Sequence, residues 1–372
     1  MSAQQRIEHL HSFRGVAIIT IVAAHAWSFA IFWTGQLDDS LEWVFAVTEM
    51  LFHGSTLFFA IISGLLFTQV LHRKPWSHFY RQKLTKVVLP YIVMSAVMTA
   101  MYWQYVSADN PDANMLHVYL NSLLVGKASI QYWYIPVLVV LFALTPLFQW
   151  LLNKLSTQPR GIVVAFALTL LPLIITRSPF PDFIKPQTFV YFSGAYLLGM
   201  IIGSHYKATL TLIKRYQLPI LAIVVISSLA LVYGYLVDTW SYGFFSLRES
   251  LYYLQKCLLA LLILHWLHGW HQPSHQQSNQ TPKQLARRQA KPKTKRLLSL
   301  CADHAFAIYF IHVVPMGWLI GLAWQTLADH RSPWLIVSFG LASLTLSITL
   351  SIVISRIIRL LFKQHSSKLI GA

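Results

Sequence analysis

The chain has 372 residues, of which 56% are hydrophobic and only 11% are charged, and its mean hydropathy is +0.53. This apolar content exceeds what the core of a soluble domain requires, so we expect a polytopic membrane protein. The net charge of +17 is scattered in short basic pieces between apolar runs, which argues against nucleic-acid binding because no soluble basic face is formed.

Two cysteines, Cys257 and Cys301, lie in or beside apolar segments and show no CxxC spacing. This arrangement supports neither a disulfide framework nor a thiolate metal site, and we expect no metal cofactor. Both side chains are interpreted as small buried hydrophobes.

Apolar segments long enough to cross a bilayer, about twenty residues each, follow one another along the chain. Arg6 and Arg14 precede the first, as basic residues precede a secretory signal, but no A-x-A cleavage pattern follows, which favours a retained span. The pattern predicts an all-α, polytopic fold of about ten transmembrane helices near residues 13–33, 46–70, 87–106, 132–152, 161–177, 187–204, 218–237, 247–269, 300–324 and 333–362.

The distribution of basic residues orients these helices. An even number of helices places both termini on one side, and the segments on that side carry 23 of the 29 lysine and arginine residues. Both termini are therefore predicted to be cytoplasmic, in a single domain that spans residues 1–372. The longest polar segment, 271–299, is rich in Gln, Lys and Arg and is interpreted as a disordered cytoplasmic loop.

The first helix carries two ionisable residues, Arg14 and His25, that are costly to hold away from water. Eleven steps of 100° fall only about 20° from three whole turns, so the two residues share one face, with His25 about 16 Å from Arg14. Alone, Arg14 is most simply a snorkelling anchor, and a single histidine can simply bond a neighbouring helix. Histidine also has the ordinary pKa nearest neutrality, so a neutral His25 can accept a proton.

Other ionisable residues lie at membrane depth in later helices. His312 lies in the ninth helix at a depth like that of His25, and the two histidines are predicted to face one cavity. Tyr309 precedes His312 by three residues and lies on a similar face. Glu49 and His53 are spaced i, i+4 in the outer half of the second helix.

Two features of the second and eighth helices have open interpretations. The small pair Ser63–Gly64 allows close approach of a backbone or a ligand, although small residues in membrane helices more often simply pack. Lys256 is a buried charge that could neutralise Glu49 or Glu249, or could snorkel outward.

The order of these residues resembles the membrane acyltransferase 3 family, the acyl-CoA-dependent O-acyltransferases of bacterial surface glycans. LHSFRGVAIITIVAAH is similar to the family's opening pattern of Arg, ten residues and His, with His11 where Asp is usual. FFAIISGLLF resembles its Phe- and Ser-Gly-containing element, and FYRQKLTKVVLPYI its basic cytoplasmic segment, with Lys83 and Lys86 where Arg is common. YWYIPVLVVLFALTPLF and AIYFIHVVP are similar to its fourth and late spans.

The resemblance covers nearly the whole chain and implies transfer of an acetyl or other short acyl group from cytoplasmic acyl-CoA, with acetyl-CoA as the expected donor. The acceptor is expected to be a hydroxyl of a cell-surface polysaccharide or a lipid-linked sugar. Arg14 and His25 are the expected catalytic residues, with His25 as base or transient acyl acceptor. Binding of the acyl-CoA is expected at Arg14, Arg81, Lys83, Lys86, Ser63, Tyr309 and His312. Binding of the acceptor is expected at Glu49, His53, Trp133 and Tyr134.

The resemblance also implies a multi-pass protein of the bacterial inner membrane, in a stand-alone form without an SGNH-type domain. Membrane lipid is an expected partner, and a homo-oligomer or a glycan-assembly complex stays open.

The principal alternative is a transporter or exporter of a glycan, a lipid-linked intermediate or a small anion, because intramembrane His, Lys and Glu also form proton relays. The sequence has no evident inverted repeat or pair of Gly/Pro-broken helices, which counts against a transporter. A purely structural subunit leaves Arg14 and His25 without a purpose.

Overall fold

The computed structural model describes residues 3–32, 37–175, 177, 185–237, 241–242, 245–271 and 293–371, and most of them are helical. The α-helices are α1 (Ala3–Phe32), α2 (Glu42–Phe52), α3 (Thr56–Leu66), α4 (Trp76–Lys83), α5 (Leu89–Asp109), α6 (Met115–Val125), α7 (Tyr134–Ser156), α8 (Gly161–Thr169), α9 (Pro186–Ser204), α10 (Tyr206–Leu236), α11 (Leu247–His271), α12 (Lys293–Asp303), α13 (Ala305–Ile311), α14 (Val313–Asp329), α15 (Pro333–Phe362) and α16 (Ser366–Ile370). The all-α polytopic fold is confirmed.

Short irregular elements connect or extend several helices. The π-helical segments Phe67–Leu71 and Leu84–Val88 follow α3 and α4, and 3-10 turns at Leu171–Leu173 and Lys363–His365 follow α8 and α15. Within the described residues, the strands are two short antiparallel pieces, β1 (Ser241–Tyr242) and β2 (Phe245–Ser246), just before α11. They lie in the connection between α10 and α11.

Fewer helices than the ten predicted are long and apolar enough to cross a membrane. Among the described residues seven meet that requirement, or eight if the bent pair α13–α14 is one span. The predicted span 161–177 is only α8 and a 3-10 turn, and its thirteen residues reach about 20 Å. The predicted span 187–204 is α9, whose side chains are mostly buried by protein. A helix enclosed by other helices needs less apolar surface than one that faces lipid.

Helix α1 lies at the centre of the bundle. It contacts α2, α3, α11, α12, α13, α14 and α15. Phe13, Ala17, Ile18 and Val22 are fully buried along it. Because neighbouring helices surround α1, the polar groups on its faces are directed into protein or into a cavity rather than into lipid.

Helices α3 and α9 cross at unusually short range. A Cβ atom on Gly64 would lie 2.1 Å from the carbonyl oxygen of Tyr196, and one on Gly199 would lie 2.0 Å from that of Ile61. The absence of side chains at these two positions lets the backbones touch, as at other membrane helix interfaces that contain small residues. The sequence left open whether Ser63–Gly64 admits a ligand or simply packs. The geometry shows that Gly64 packs against α9.

This crossing leads to a stability prediction. Gly64→Ala is expected to lower the free energy of unfolding by about 1–3 kcal/mol, because the added methyl group must push α3 away from α9. Gly317→Ala is a matched control, since no atom lies within 4 Å of the Cβ position at Gly317. Thermal unfolding of the purified variants in detergent measures the difference. Equal stability of the two variants would contradict the close crossing.

The second predicted helix, 46–70, is interrupted, which corrects the expectation of one continuous helix. Helix α2 ends at Phe52, residues 53–55 form a turn in which Gly54 has a φ of +72°, and α3 begins at Thr56. The ninth predicted helix, 300–324, is also divided: α12 ends at Asp303, and α13 and α14 meet at His312 with a bend of 43°. Both interruptions lie beside predicted site residues.

The predicted disordered loop 271–299 is described by the structure only at its two ends. Residues 272–292 lie outside the described part of the chain. Residues 293–299 are helical, because α12 begins at Lys293, so the predicted loop boundary at 299 is wrong. Helix α12 packs closely on α1. A Cβ atom on Gly15 of α1 would lie only 2.2 Å from the carbonyl oxygen of Leu298, so the glycine permits this contact.

Candidate functional site

A cavity of about 690 Å³ lies at the end of the bundle that the charge distribution places outside the cytoplasm. Its wall is formed by the second half of α1, by α2, by the turn at 53–55, by the end of α10 and by the start of α11. Trp133 and Arg177 complete the wall from the connections before α7 and after α8. This volume is in the range of pockets that hold small molecules.

His25 lines this cavity and lies against His312. The centroids of the two imidazole rings are 5.3 Å apart, and the ring of Phe29 packs 6.4 Å from that of His25. His312 lies at the bend between α13 and α14 and is completely buried. The bend therefore brings the second histidine beside the first.

Hydrogen bonds fix the tautomer of His312. Its Nδ1 lies 2.9 Å from the carbonyl oxygen of Ile308 and 3.0 Å from that of Tyr309, and only an N–H can donate to these acceptors. The lone pair therefore resides on Nε2, which is buried and has no hydrogen-bond partner among the described residues. A buried acceptor of this kind is ready to receive a hydrogen bond from a neighbouring donor.

A second cluster surrounds His53 at the end of α2. Nδ1 of His53 lies 3.0 Å from Oε2 of Glu49, and its Nε2 lies 3.4 Å from Oε1 of Glu249. The hydroxyl of Tyr235 donates to Oε2 of Glu49 at 3.2 Å, and that of Tyr252 donates to Tyr235 at 3.0 Å. The imidazole thus bridges two carboxylates, and the break after Phe52 leaves it facing the cavity.

Arg177 anchors the far side of this cluster. Its Nε donates to Oε2 of Glu249 at 3.0 Å, and both side chains are buried. The guanidinium lies over the rings of Trp133 and Tyr191, 5.1 and 5.4 Å from their centroids. Aromatic faces attract a cation, so the rings and the carboxylate together compensate the buried charge.

The two aromatic residues predicted for the acceptor are placed differently. Trp133 lines the cavity, whereas Tyr134 is buried behind it, with its ring 5.0 Å from that of Phe192. Only Trp133 is therefore positioned to touch a molecule in the cavity directly.

Three of the predicted acyl-CoA residues, Arg14, Lys83 and Lys86, lie together toward the opposite end of α1, the end predicted to be cytoplasmic. The guanidinium of Arg14 lies 4.9 Å from the ring centroid of Phe306, and Nζ of Lys83 lies 4.1 Å from that of Phe142. Arg14 and Lys86 are both close enough to Lys83 to repel its charge. One carboxylate, that of Asp303, attracts Arg14. It also lies 3.0 Å from Nε2 of His11.

The remaining predicted residues are scattered around these two regions. Arg81 is exposed on α4, and Ser63 is half-buried beside the crossing of α3 and α9. The hydroxyl of Tyr309 donates to the backbone carbonyl of Gln131, so it faces the connection before α7 rather than an open site. Arg14 is not part of the outer cavity, whose lining on α1 begins at Ile21.

Several cavity residues were not predicted as site residues. Arg177, Arg248 and Tyr235 line the cavity, and Glu249 joins the His53 cluster. In the sequence Arg177 and Arg248 are exceptions to the positive-inside distribution, which is the one signal that could have identified them. Tyr235 and Glu249 join the site through contacts with residues far away in the chain, which the sequence does not indicate.

Comparison with known protein families gives a match over most of the chain. A family model described as an acyltransferase domain, acyltransferase 3, matches residues 7–356, nearly the whole chain. No curated protein sequence and no solved structure matched the chain. The matched range includes Arg14 and His25 of α1, the His53 cluster and the bend at His312.

Proposed function

The chain belongs to the acyltransferase 3 family, and we propose that it transfers an acetyl or other short acyl group from cytoplasmic acyl-CoA to a hydroxyl of a cell-surface polysaccharide or lipid-linked sugar. Acyl transfer as such follows from the family. The donor, the acceptor, the inner bacterial membrane as its location and the roles of individual residues are the proposal. The observation that supports the proposal most is the pair of histidines beside the cavity: His25 lines it, and the ring of His312 packs against His25.

The proposed chemistry needs a base at the acceptor hydroxyl. His25 takes the hydroxyl proton as the oxygen attacks the thioester carbonyl, the bond from carbon to sulfur breaks, and the proton passes to the CoA thiolate. His312 is proposed to orient His25, because its Nε2 is an acceptor without a partner within the described residues. A hydrogen bond from His25 to this atom would leave the other nitrogen of His25 free to accept the proton.

The donor is proposed to bind at the cytoplasmic end of α1. Phosphate groups of the CoA would be attracted by Arg14, Lys83 and Lys86, where three cations meet one carboxylate, that of Asp303. Arg81 is exposed nearby on α4 and adds to the positive potential. This arrangement directs the thioester along α1 toward His25.

The acceptor is proposed to bind in the outer cavity. Hydroxyl groups of a sugar can donate to the carboxylate of Glu49 and exchange hydrogen bonds with His53, and Trp133 offers a flat apolar surface beside them. Arg177, which is part of this wall, is held in place by Glu249 behind it.

Label transfer tests this function. Purified protein in lipid is given labelled acetyl-CoA and candidate hydroxyl acceptors, and the label on the acceptor and the release of CoA are measured. Label on the acceptor supports the proposal. Movement of the acceptor across vesicles without CoA release would instead indicate a transporter, a class in which helices broken beside a cavity also occur.

The cytoplasmic cluster gives a prediction for donor binding. Lys86→Met is expected to raise the KM for acetyl-CoA about tenfold, because one charge-assisted contact to phosphate contributes roughly 1.5 kcal/mol. The KM for the acceptor should not change. Lys207→Met is the matched control, since Lys207 is an exposed lysine on the same predicted side. A rise of similar size in the control would show that only the overall charge matters.

A further inference from the structure

Lys256 of α11 is a lysine that is completely buried and has no role in the proposed chemistry. Its Nζ donates to the backbone carbonyls of Met50 and Leu51, each at 2.9 Å. The hydrogen bonds therefore go to the backbone of α2 and not to the carboxylate of Glu49 or Glu249, the counter-ions considered from the sequence. A buried ammonium group is retained only where it is well paired, so this contact requires an explanation.

The explanation lies in the break between α2 and α3. In a continuous helix the carbonyls of Met50 and Leu51 would accept from the amides at positions 54 and 55. The turn at 53–55, with Gly54 at a φ of +72°, redirects that part of the backbone, and the amide of Ser55 instead pairs with the carbonyl of Phe52. Lys256 supplies the missing donors, and its charge complements the negative end of the α2 dipole.

Neighbouring side chains reinforce the same contact. The amide Nε2 of Gln255 lies 3.3 Å from the carbonyl of Met50 and donates to the hydroxyl of Ser228 at 2.8 Å. Glu249 precedes Lys256 by seven residues, which is about 20° short of two turns, so both lie on one face of α11. From that face Glu249 holds His53 and Lys256 holds the end of α2.

We propose that Lys256 is a positioning residue of the acceptor site: by capping the end of α2 it keeps the helix broken, so that His53 faces the cavity beside Glu49. Its link to the acceptor rests on the proposed function, whereas the effect on the break does not. Without the cap, the carbonyl of Met50 keeps only the long contact from Gln255, and that of Leu51 regains a protein donor if residue 55 returns to helical geometry. His53 would then move away from Glu249.

Kinetics test the link to the acceptor. Lys256→Met is expected to raise the acceptor KM about tenfold, in line with the loss of one well-made polar contact, with the KM for acetyl-CoA changed less than about twofold. On a His53→Ala background the same substitution should add less than about twofold, because Lys256 acts through His53. Gln255→Met should raise the acceptor KM in the same direction by a smaller factor. Cys257→Ala, a buried change on the next residue of α11, should leave both KM values alone.

Thiol labelling tests the break without relying on enzymatic activity. Thr56 lines the cavity just after the turn, and both native cysteines are buried. In a Thr56→Cys background, Lys256→Met should change the rate of labelling by a water-soluble thiol reagent at least about fivefold, while Cys257→Ala should not. Unchanged labelling would overturn the proposal. Changed labelling with equal rises in both KM values, or with effects that multiply on the His53→Ala background, would overturn the assignment to the acceptor site. Absence of acyl transfer in the wild-type protein would instead overturn the proposed function.

Discussion

Replacement of His25 by alanine is expected to lower kcat for acyl transfer by about 10²–10⁴-fold, the usual contribution of a general base. In the proposed reaction His25 takes the hydroxyl proton, and among the described ring contacts it is the cavity-lining residue that packs against His312. Binding of acetyl-CoA should persist, because the cationic cluster lies at the other end of α1. Single-turnover label transfer at saturating substrates measures the effect.

His117→Ala serves as the control for this experiment, since His117 is an exposed histidine on α6. His312→Ala should reduce kcat less than His25→Ala, because His312 is proposed to orient the base and not to take the proton. An activity of the His25 variant within about threefold of wild type would contradict the proposed role. A labelled His25 trapped during turnover would indicate transfer through an acyl-histidine instead.

Removal of Arg177 is expected to destabilise the fold by about 3–5 kcal/mol, because Glu249 would lose its buried guanidinium partner. Arg177→Met should therefore lower the melting temperature strongly in detergent. The double variant with Glu249→Gln should recover much of the loss, since the uncompensated carboxylate is then removed as well. Arg248→Met is the control: Arg248 lines the same cavity, is partly exposed and packs over the ring of Tyr235.

A melting temperature of Arg177→Met equal to that of the control would contradict the structural role of this ion pair. Loss of the same size in the double variant would show instead that the side-chain packing of Arg177 on Trp133 and Tyr191 matters more than its charge. Comparison of the wild type, the two single variants and the double variant separates the contribution of the ion pair from that of the packing.

Much of the bundle could be predicted because its determinants are local. Apolar length identifies the helices, and the spacing between Arg14 and His25 places them at two depths on one helix. His25 and His312 were expected to face one cavity because of their similar depths. The structure places the two rings side by side, but only His25 lines the cavity, and His312 is buried behind it. Depth along the membrane is a quantity that a sequence provides directly.

The wall of the cavity could not be predicted in the same way. The pairing of Arg177 with Glu249 joins residues 72 positions apart, and the helix end before the break at 53–55 receives its hydrogen bonds from Lys256 of α11. Neither contact leaves a periodic pattern in the chain. Tyr134 shows the converse, since adjacent aromatic residues look alike in sequence although only Trp133 reaches the cavity.

Sided vesicles test most directly the claim that donor and acceptor meet at His25 from opposite faces. Protein is reconstituted with its termini inside, labelled acetyl-CoA is enclosed, and a membrane-impermeant hydroxyl acceptor is supplied outside. The proposed mechanism predicts labelled acceptor outside and free CoA inside, both abolished by His25→Ala. Label transfer that occurs only when donor and acceptor share one face, or that persists in the His25 variant, would contradict it.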